Sequence, residues 1–150
     1  MPRFLRLGLL ACVLYFSAMS VAHFFGLKLP LLFVYYDTPF YAYQDKIISF
    51  AVLAYVGLFW LASRDIAAVP VALGVLAATL VGLVSVNLSD ALASVVPPGQ
   101  STWASTWAYW AQTGLLAAIW VALMGLYLRC DRYRAAPGDA SRSAADRPTE

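Results

Sequence analysis

The run IAAVPVALGVLAATLVGLVSV, residues 66–86, contains no charged side chain. At a rise of about 1.5 Å per residue, a helix of this length matches the ~30 Å hydrocarbon layer of a membrane. Lipid offers no hydrogen-bond partner to backbone amides, whereas a helix satisfies its amides internally. The run therefore predicts a transmembrane α-helix.

Three further apolar runs occur on either side of this segment, at about residues 5–25, 47–62 and 107–128. The chain of 150 residues is 62% hydrophobic and only 12% charged, whereas soluble proteins are about 25% charged. The four runs predict an all-α membrane protein with four transmembrane helices. They use most of residues 1–130, which we treat as one transmembrane domain with no separate soluble domain.

The basic residues are divided unevenly among the segments that flank these runs. Arginine occurs before the first run, between the second and third, and after the fourth, at Arg3, Arg6, Arg64, Arg129, Arg132, Arg134, Arg142 and Arg147. The other two links hold only Lys28 and Lys46. Because lysine and arginine concentrate on the cytoplasmic side, the pattern predicts an antiparallel up-and-down bundle with both termini in the cytoplasm.

The C-terminal segment, residues 131–150, is rich in Arg, Asp, Ala, Ser and Pro and has almost nothing to bury. This composition predicts a disordered tail, which the charge pattern places in the cytoplasm. The preference for arginine over lysine, with abundant alanine, is typical of a bacterial inner-membrane protein.

The N-terminal run has a second interpretation as a secretory signal. Residues 20–22, Ser-Val-Ala, offer small side chains at the right offsets for cleavage before His23. The run is longer than a usual signal core, so we expect an uncleaved first helix.

Small residues recur every four positions in three of the predicted helices. Such ridges let helix backbones approach closely in lipid, where no hydrophobic force drives helices together. They predict a tight four-helix core or, failing that, a dimer seam. The residues are Ala18, Ala22, Gly26, Gly74, Ala78, Gly82, Gly114, Ala118 and Ala122.

The link between the first two runs, residues 23–46, holds the single histidine and is dense in polar and aromatic residues. Pro30 and Pro39 predict a helix-breaking segment at the outer interface, and residues 87–96 predict a short interfacial helix in the other outer link. If the two links fold over one another, their polar groups converge. The candidate binding residues are His23, Tyr35, Tyr36, Asp37, Tyr41, Tyr43, Gln44, Asp45, Asp90, Trp103, Trp107 and Gln112.

These residues also have purely structural interpretations. Tyrosine and tryptophan are enriched where helices leave the membrane, and Asp45 suits the N-cap of the second helix. His23 suits an interfacial side chain that is hydrogen-bonded to a carbonyl or a tyrosine hydroxyl. The sequence leaves these interpretations open beside the binding one.

Sequence motifs for common chemistries are missing. The chain has no Cys-x-x-Cys, no His-Glu-x-x-His and no Gly-x-Ser-x-Gly pattern, and a single histidine cannot form a bis-histidine heme site in a monomer. No carboxylate is predicted near the middle of a span, which disfavours a small proton-coupled exporter. We therefore expect no metal, no cofactor and no nucleic-acid partner.

Three functions fit this pattern, and we expect them in this order. The first is a non-enzymatic accessory or assembly subunit that packs with other membrane proteins or with itself. The second is a binder or carrier of a small amphiphile, of the lipid or quinone type, at the outer leaflet through residues 23–46. The third is an enzyme acting on lipid head groups, with His23 as general base oriented by Asp37 or Asp45.

Overall fold

The computed structural model describes residues 1–27, 29, 32, 41–90 and 102–135. These residues form four long helices: α1 (Arg3–Phe25), α2 (Tyr41–Arg64), α3 (Val69–Asn87) and α4 (Thr102–Ala135), with a 3₁₀ turn at Ile66–Ala68 before α3. No strand occurs within the described ranges. Each helix contains a segment long and apolar enough to cross a membrane, so the prediction of an all-helical chain with four such segments is confirmed.

Local sequence signals explain where two of the helices end and begin. Gly26 adopts the left-handed conformation at φ 66° and ends α1, with its N–H donating to the carbonyls of Ala22 and His23. Asp65 caps the 3₁₀ turn, since its carboxylate accepts a hydrogen bond from Ala67 N–H at 2.9 Å. Pro70 lies in the first turn of α3, as predicted for a residue without an N–H.

Two helices extend beyond the apolar runs that predict them. The second run was predicted at about 47–62, but α2 begins at Tyr41, and the fourth was predicted at about 107–128, but α4 covers Thr102–Ala135. Apolarity marks only the part of a helix that suits hydrocarbon. The backbone bonds of a helix continue into more polar sequence, so hydropathy underestimates helix length.

The four helices pack in a ring. α1 makes its most extensive contacts with α2 and α3 makes its own with α4, while smaller contacts join α2 to α3 and α1 to α4. The buried positions 5, 9, 12, 16, 19 and 23 of α1 alternate steps of four and three, which is the spacing of a knobs-into-holes seam. Phe16 on this seam stacks on Tyr55 and Phe59 of α2, with ring centroids 5.0 and 5.4 Å away.

The predicted small-residue ridges lie in two different environments. In α1, Ala22 is buried, Gly26 is half-buried and Ala18 is exposed. In α3 and α4 the ridge residues are all exposed: Gly74, Ala78, Gly82, Gly114, Ala118 and Ala122. A methyl group added at any of the three glycines would meet nothing within 4 Å, so these ridges do not hold α3 and α4 within the single chain.

Larger side chains take the inward positions instead. Leu73 and Leu76 of α3 and Leu116 and Leu123 of α4 are each at most 2% exposed. The tightest space around a described glycine is at Gly8 of α1, where an added methyl would lie 2.9 Å from Cδ2 of the Leu123 side chain. The single-chain core is therefore filled by leucine and aromatic side chains, and the dimer seam remains a prediction.

Candidate functional site

His23 and Asp45 form a polar pair between the last turn of α1 and the second turn of α2. His23 Nδ1 lies 3.1 Å from Asp45 Oδ1. Only 3% of the His23 side chain and 15% of the Asp45 side chain are exposed. Both residues belong to the segments apolar enough to span a membrane, and ionisable groups in such segments are costly and are kept chiefly for function.

A second polar contact lies one turn further into the bundle and fixes the alignment of the same two helices. Ser20 Oγ of α1 donates to the carbonyl of Ser49 at 2.9 Å, and Ser49 Oγ donates to the carbonyl of Lys46 at 2.7 Å. Both serines are buried. Because residues three or four apart share one helix face, Ser20 supports His23 and Ser49 supports Asp45.

The pair is only half satisfied by hydrogen bonds. His23 Nε2 and Asp45 Oδ2 are buried, and neither has a hydrogen-bond partner in the described part of the chain. A buried polar atom without a partner costs about 1–3 kcal/mol relative to a paired one. Most buried polar atoms in proteins are paired, so two such atoms on one interacting pair are unusual.

The His23–Asp45 contact also bears on one requirement of the enzyme hypothesis. That hypothesis requires a carboxylate within reach of His23, and Asp45 meets the requirement, while Asp37 lies outside the described residues. When Nδ1–H donates to an aspartate, the Nε2 lone pair is oriented to accept a proton. Within the described ranges, no hydrogen bond connects this nitrogen to a hydroxyl or thiol.

A second polar cluster joins α3 to α4. Asn87 Nδ2 donates to Thr113 Oγ1 at 3.0 Å, and the Thr113 hydroxyl donates to the carbonyl of Tyr109 at 2.9 Å. The neighbouring Gln112 is 3% exposed. Both of its amide atoms, Nε2 and Oε1, are buried without a partner among the described residues.

Most of the other predicted binding residues are either exposed or outside the described residues. Gln44, Asp90, Tyr43 and Trp107 are exposed, the last two at 71% and 62%. Tyr35, Tyr36 and Asp37 lie outside the described residues, as do the side chains of Tyr41 and Trp103. Of the predicted binding set, His23 and Asp45 come together, and Gln112 is buried on α4.

The structure differs from the predictions at the start of α2 and at the end of α3. Asp45 was predicted as an N-cap, but that role is wrong because α2 begins four residues earlier, at Tyr41, and has no acidic residue in its first turn. The interfacial helix predicted at 87–96 lies mostly outside the described residues. Asn87, its predicted first residue, is instead the last residue of α3.

Ser49 is a site residue that sequence reasoning missed. It follows Asp45 by four positions and therefore lies on the same helix face, just as Ser20 precedes His23 by three. A search for polar residues at helical spacing in both of the first two helices would have found it.

Metal-ligand geometry does not occur in the described ranges. No three His, Cys, Asp or Glu side chains come together there. Cys12 and Cys130 are both free thiols.

An apolar groove lies at the other end of the molecule, between the start of α1 and the end of α4. It has a volume of about 400 Å³. Its walls are formed by Met1, Pro2, Phe4, Leu5, Leu126, Arg129 and Cys130. The groove contains one charged side chain and no buried unpartnered polar atom of the kind found at His23.

Comparisons of this chain with protein-family models, with curated proteins and with solved structures found no match.

Proposed function

We propose that this chain is a small multi-pass membrane protein that binds the polar end of a small amphiphile at the outer leaflet. The observation that carries the proposal is the pair of buried atoms without partners, His23 Nε2 and Asp45 Oδ2. A head group that bonds to both would remove the cost of burying them. Membrane lipid is then both the solvent of the protein and the source of its ligand.

The proposal includes an antiparallel up-and-down bundle with both termini in the cytoplasm of a bacterial inner membrane. Three contacts support the up-and-down order. His23 at the end of α1 meets Asp45 near the start of α2, and Gly8 near the start of α1 faces Leu123 in the second half of α4. At the end of α3, Asn87 bonds to Thr113 of α4.

The charge distribution supports the sidedness. In this arrangement, Arg3, Arg6, Arg64 and Arg129 gather at the end of the bundle opposite His23, where the positive-inside rule puts the cytoplasm. The Arg64 guanidinium also lies over the ring of Trp60, 4.5 Å from its centroid, a contact suited to a membrane boundary. The His23–Asp45 pair then belongs to the outer leaflet.

Access from the lipid explains why the ligand is an amphiphile. Phe24 follows His23, and Phe50 follows Ser49; both rings are exposed, at 44% and 62%, and they meet edge to face at 6.2 Å. These rings present an apolar surface directly beside the buried polar atoms. An amphiphile can lay its tail on that surface while its head group reaches the pair.

The test compares amphiphiles that copurify with the wild-type protein and with the double variant His23→Leu/Asp45→Leu, extracted and identified by mass spectrometry. Replacing a buried polar pair by apolar residues is often neutral or stabilising, so the double variant is expected to fold. We expect it to lose a compound that wild type retains. Ser85→Ala is the matched control, because Ser85 is exposed and its hydroxyl bonds to its own helix at Val81.

The outcome that overturns the proposal is equal retention of every amphiphile by wild type and the double variant. A melting temperature in detergent that is unchanged or raised in the double variant separates loss of binding from loss of fold. Loss of the compound in Ser85→Ala as well would show a nonspecific effect and would also count against the proposal.

A second function, as an accessory subunit of a membrane complex, is favoured by one observation. The ridges of α3 and α4 are exposed, and Gly74, Gly82 and Gly114 have open space in front of them. Small residues at such positions let a neighbouring helix approach closely in lipid. The proposed occupant is a transmembrane helix of another subunit or of a second copy.

The accessory function is tested by native electrophoresis in mild detergent at native abundance. We expect wild type in a larger complex and Gly74→Leu/Gly82→Leu released from it. Gly57→Leu on α2 is the control, since Gly57 is equally open but belongs to no ridge. Migration of the wild-type chain alone would rule this function out.

A further inference from the structure

When the imidazole is neutral with its hydrogen on Nδ1, His23 Nε2 and the ionised Asp45 Oδ2 both accept. When the pair holds one more proton, it offers one donor and one acceptor whichever partner carries that proton. If the proton is on both imidazole nitrogens, Nε2–H donates and the ionised Asp45 Oδ2 accepts. If Asp45 holds its proton on Oδ1 and bonds to Nδ1, the neutral imidazole still carries Nε2–H, and Oδ2 still accepts. Both arrangements have no net charge, which is the state that burial in a medium of low dielectric constant favours.

Gln112 adds a second donor and a second acceptor. Its side chain is 3% exposed, and neither amide atom has a partner among the described residues. A primary amide is always neutral and carries both hydrogen-bonding roles. When the pair holds its extra proton, the buried atoms that lack partners among the described residues comprise two donors and two acceptors with no net charge; with the neutral Nδ1–H imidazole they comprise one donor and three acceptors.

Helix geometry places Gln112 at the depth of the pair in the up-and-down bundle proposed above. Tyr55 of α2 and Thr79 of α3 share a hydrogen bond and mark a common level. From there, Asp45 lies ten residues along α2, about 15 Å, and Asn87 lies eight residues along α3, about 12 Å, in the same direction. Asn87 bonds to Thr113, the neighbour of Gln112, so the two polar clusters lie within about one helical turn of each other in depth.

We propose that the occupant of this site is an uncharged amphiphile whose head group carries a hydroxyl, held between the His23–Asp45 pair and Gln112. The inference rests on the proposed function and names its ligand class. A phosphate or carboxylate needs donors alone, and an ammonium needs acceptors alone. A hydroxyl both donates and accepts, so it matches a site that offers both roles in each of these protonation states. An anion would also carry an uncompensated charge into the bundle.

A hydroxyl head group could come from a glycerol lipid or from a reduced quinone. The experiment therefore offers dioleoylglycerol, decylubiquinol and dioleoyl phosphatidic acid separately to the purified full-length protein in detergent. Retention is measured by native mass spectrometry. We expect at least one of the two hydroxyl probes to be retained about tenfold more strongly than phosphatidic acid, and the one retained identifies the source.

The role of Gln112 is measured with Gln112→Met, which keeps the length of the side chain and removes both hydrogen-bonding groups. We expect about tenfold weaker retention of the preferred hydroxyl probe, the effect of one buried hydrogen bond. Ser85→Ala serves again as the control and should leave retention unchanged. A melting temperature equal to or above that of wild type shows that Gln112→Met is folded.

Each outcome decides the inference. It is overturned if phosphatidic acid is retained as well as the hydroxyl probes, if no probe is retained, or if Gln112→Met retains the preferred probe like wild type. In the first of these cases the proposed function still stands, provided that His23→Leu/Asp45→Leu abolishes phosphatidic acid retention. If no probe is retained, the proposed function is decided independently by the copurified amphiphiles.

Discussion

The α1–α2 pair and the α3–α4 pair are held together by different kinds of contact. α1 and α2 interlock through stacked aromatic rings at Phe16 and through two polar contacts. In the most apolar part of α1, 33% of residues are buried, against 22% in the corresponding parts of α3 and α4. In lipid, where burial itself supplies little driving force, this difference reflects how closely the side chains fit.

The closer packing between α1 and α2 explains why buried polar atoms without partners are tolerated there. Two buried atoms without partners destabilise the fold by a few kcal/mol at most, and the close packing between α1 and α2 can offset this loss. The same packing holds His23 and Asp45 in one geometry. The less tightly packed pair instead leaves its small residues facing outward. The α1–α2 pair thus holds His23 and Asp45 of the proposed ligand site, and the exposed ridges of α3 and α4 form the surface proposed for contact with another helix.

The largest predicted effect comes from removing an aromatic ring of the tightly packed pair. Phe59 is fully buried and stacks on Phe16. We expect Phe59→Ala to lower the free energy of unfolding by about 3 kcal/mol, the low end for such a change, because lipid removes most of the transfer contribution and leaves the cavity. Unfolding with SDS in mixed micelles, followed by tryptophan fluorescence, measures the change.

Phe50→Ala on the same helix is the control for Phe59→Ala. Phe50 is 62% exposed, so its removal should change the free energy of unfolding by less than about 0.5 kcal/mol. Equal effects of the two substitutions would show that the α1–α2 contact is no tighter than the lipid-facing surface, which would contradict the comparison.

A smaller effect is expected when the polar pair is broken on one side only. His23→Leu leaves Asp45 buried without its partner, and we expect a loss of about 2 kcal/mol. This is below the range for fully buried pairs, because 15% of the Asp45 side chain remains exposed. The double variant His23→Leu/Asp45→Leu should recover this loss. The same SDS titration checks both, and a double variant less stable than the single one would indicate that the pair is structural.

Besides the Asn87–Thr113 contact, a second long-range hydrogen bond joins α3 to α4. Trp120 Nε1–H of α4 donates to the carbonyl of Leu73 in α3 at 2.9 Å. We expect Trp120→Phe to lower the free energy of unfolding by about 1 kcal/mol. Trp107→Phe, at a ring that is 62% exposed, should be nearly neutral in the same titration. A neutral Trp120→Phe would show that this bond does not hold α3 to α4.

The sequence determines the helices well because hydropathy and backbone chemistry act locally. An uncharged run such as residues 66–86 has no alternative to a helix in lipid, and the proline at position 70 marks its start. The sequence does not determine which face of each helix points inward. Since both lipid and core are apolar, hydropathy does not show which side of α3 packs. The regular spacing of Gly74 and Gly82 can therefore be recognised in the sequence. Whether these residues face the core or the lipid cannot.

Sequence reasoning identified two residues of the site but not their pairing, for a related reason. His23 and Asp45 stand out as ionisable residues near the ends of apolar runs, and both were candidates. Their pairing depends on the alignment of α1 against α2. That alignment is set by Phe16, Ser20 and other contacts between residues far apart in sequence. The absence of hydrogen-bond partners around Gln112 likewise emerges only when neighbouring helices are in place.

The smallest predicted effects come from glycines in the two kinds of surface. Alanine is about 1 kcal/mol more favourable than glycine inside a helix. Gly74→Ala adds its methyl to open space, so we expect a gain of up to about 1 kcal/mol in the free energy of unfolding. Gly8→Ala places its methyl 2.9 Å from Leu123 Cδ2. The flexible leucine end must move, which offsets the gain and leaves a change near zero.

The difference in stability between the two glycine variants tests whether the Gly74–Gly82 ridge of α3 is uncovered in the functional protein. SDS titration of the purified chain should show Gly74→Ala as the more stable variant, since nothing in the single chain opposes its added methyl. If Gly74→Ala is instead destabilised, and the loss grows with protein concentration, a second copy covers the ridge and the methyl interferes with it. If Gly8→Ala gains as much as Gly74→Ala, the approach of α1 to α4 is looser than the structure has it.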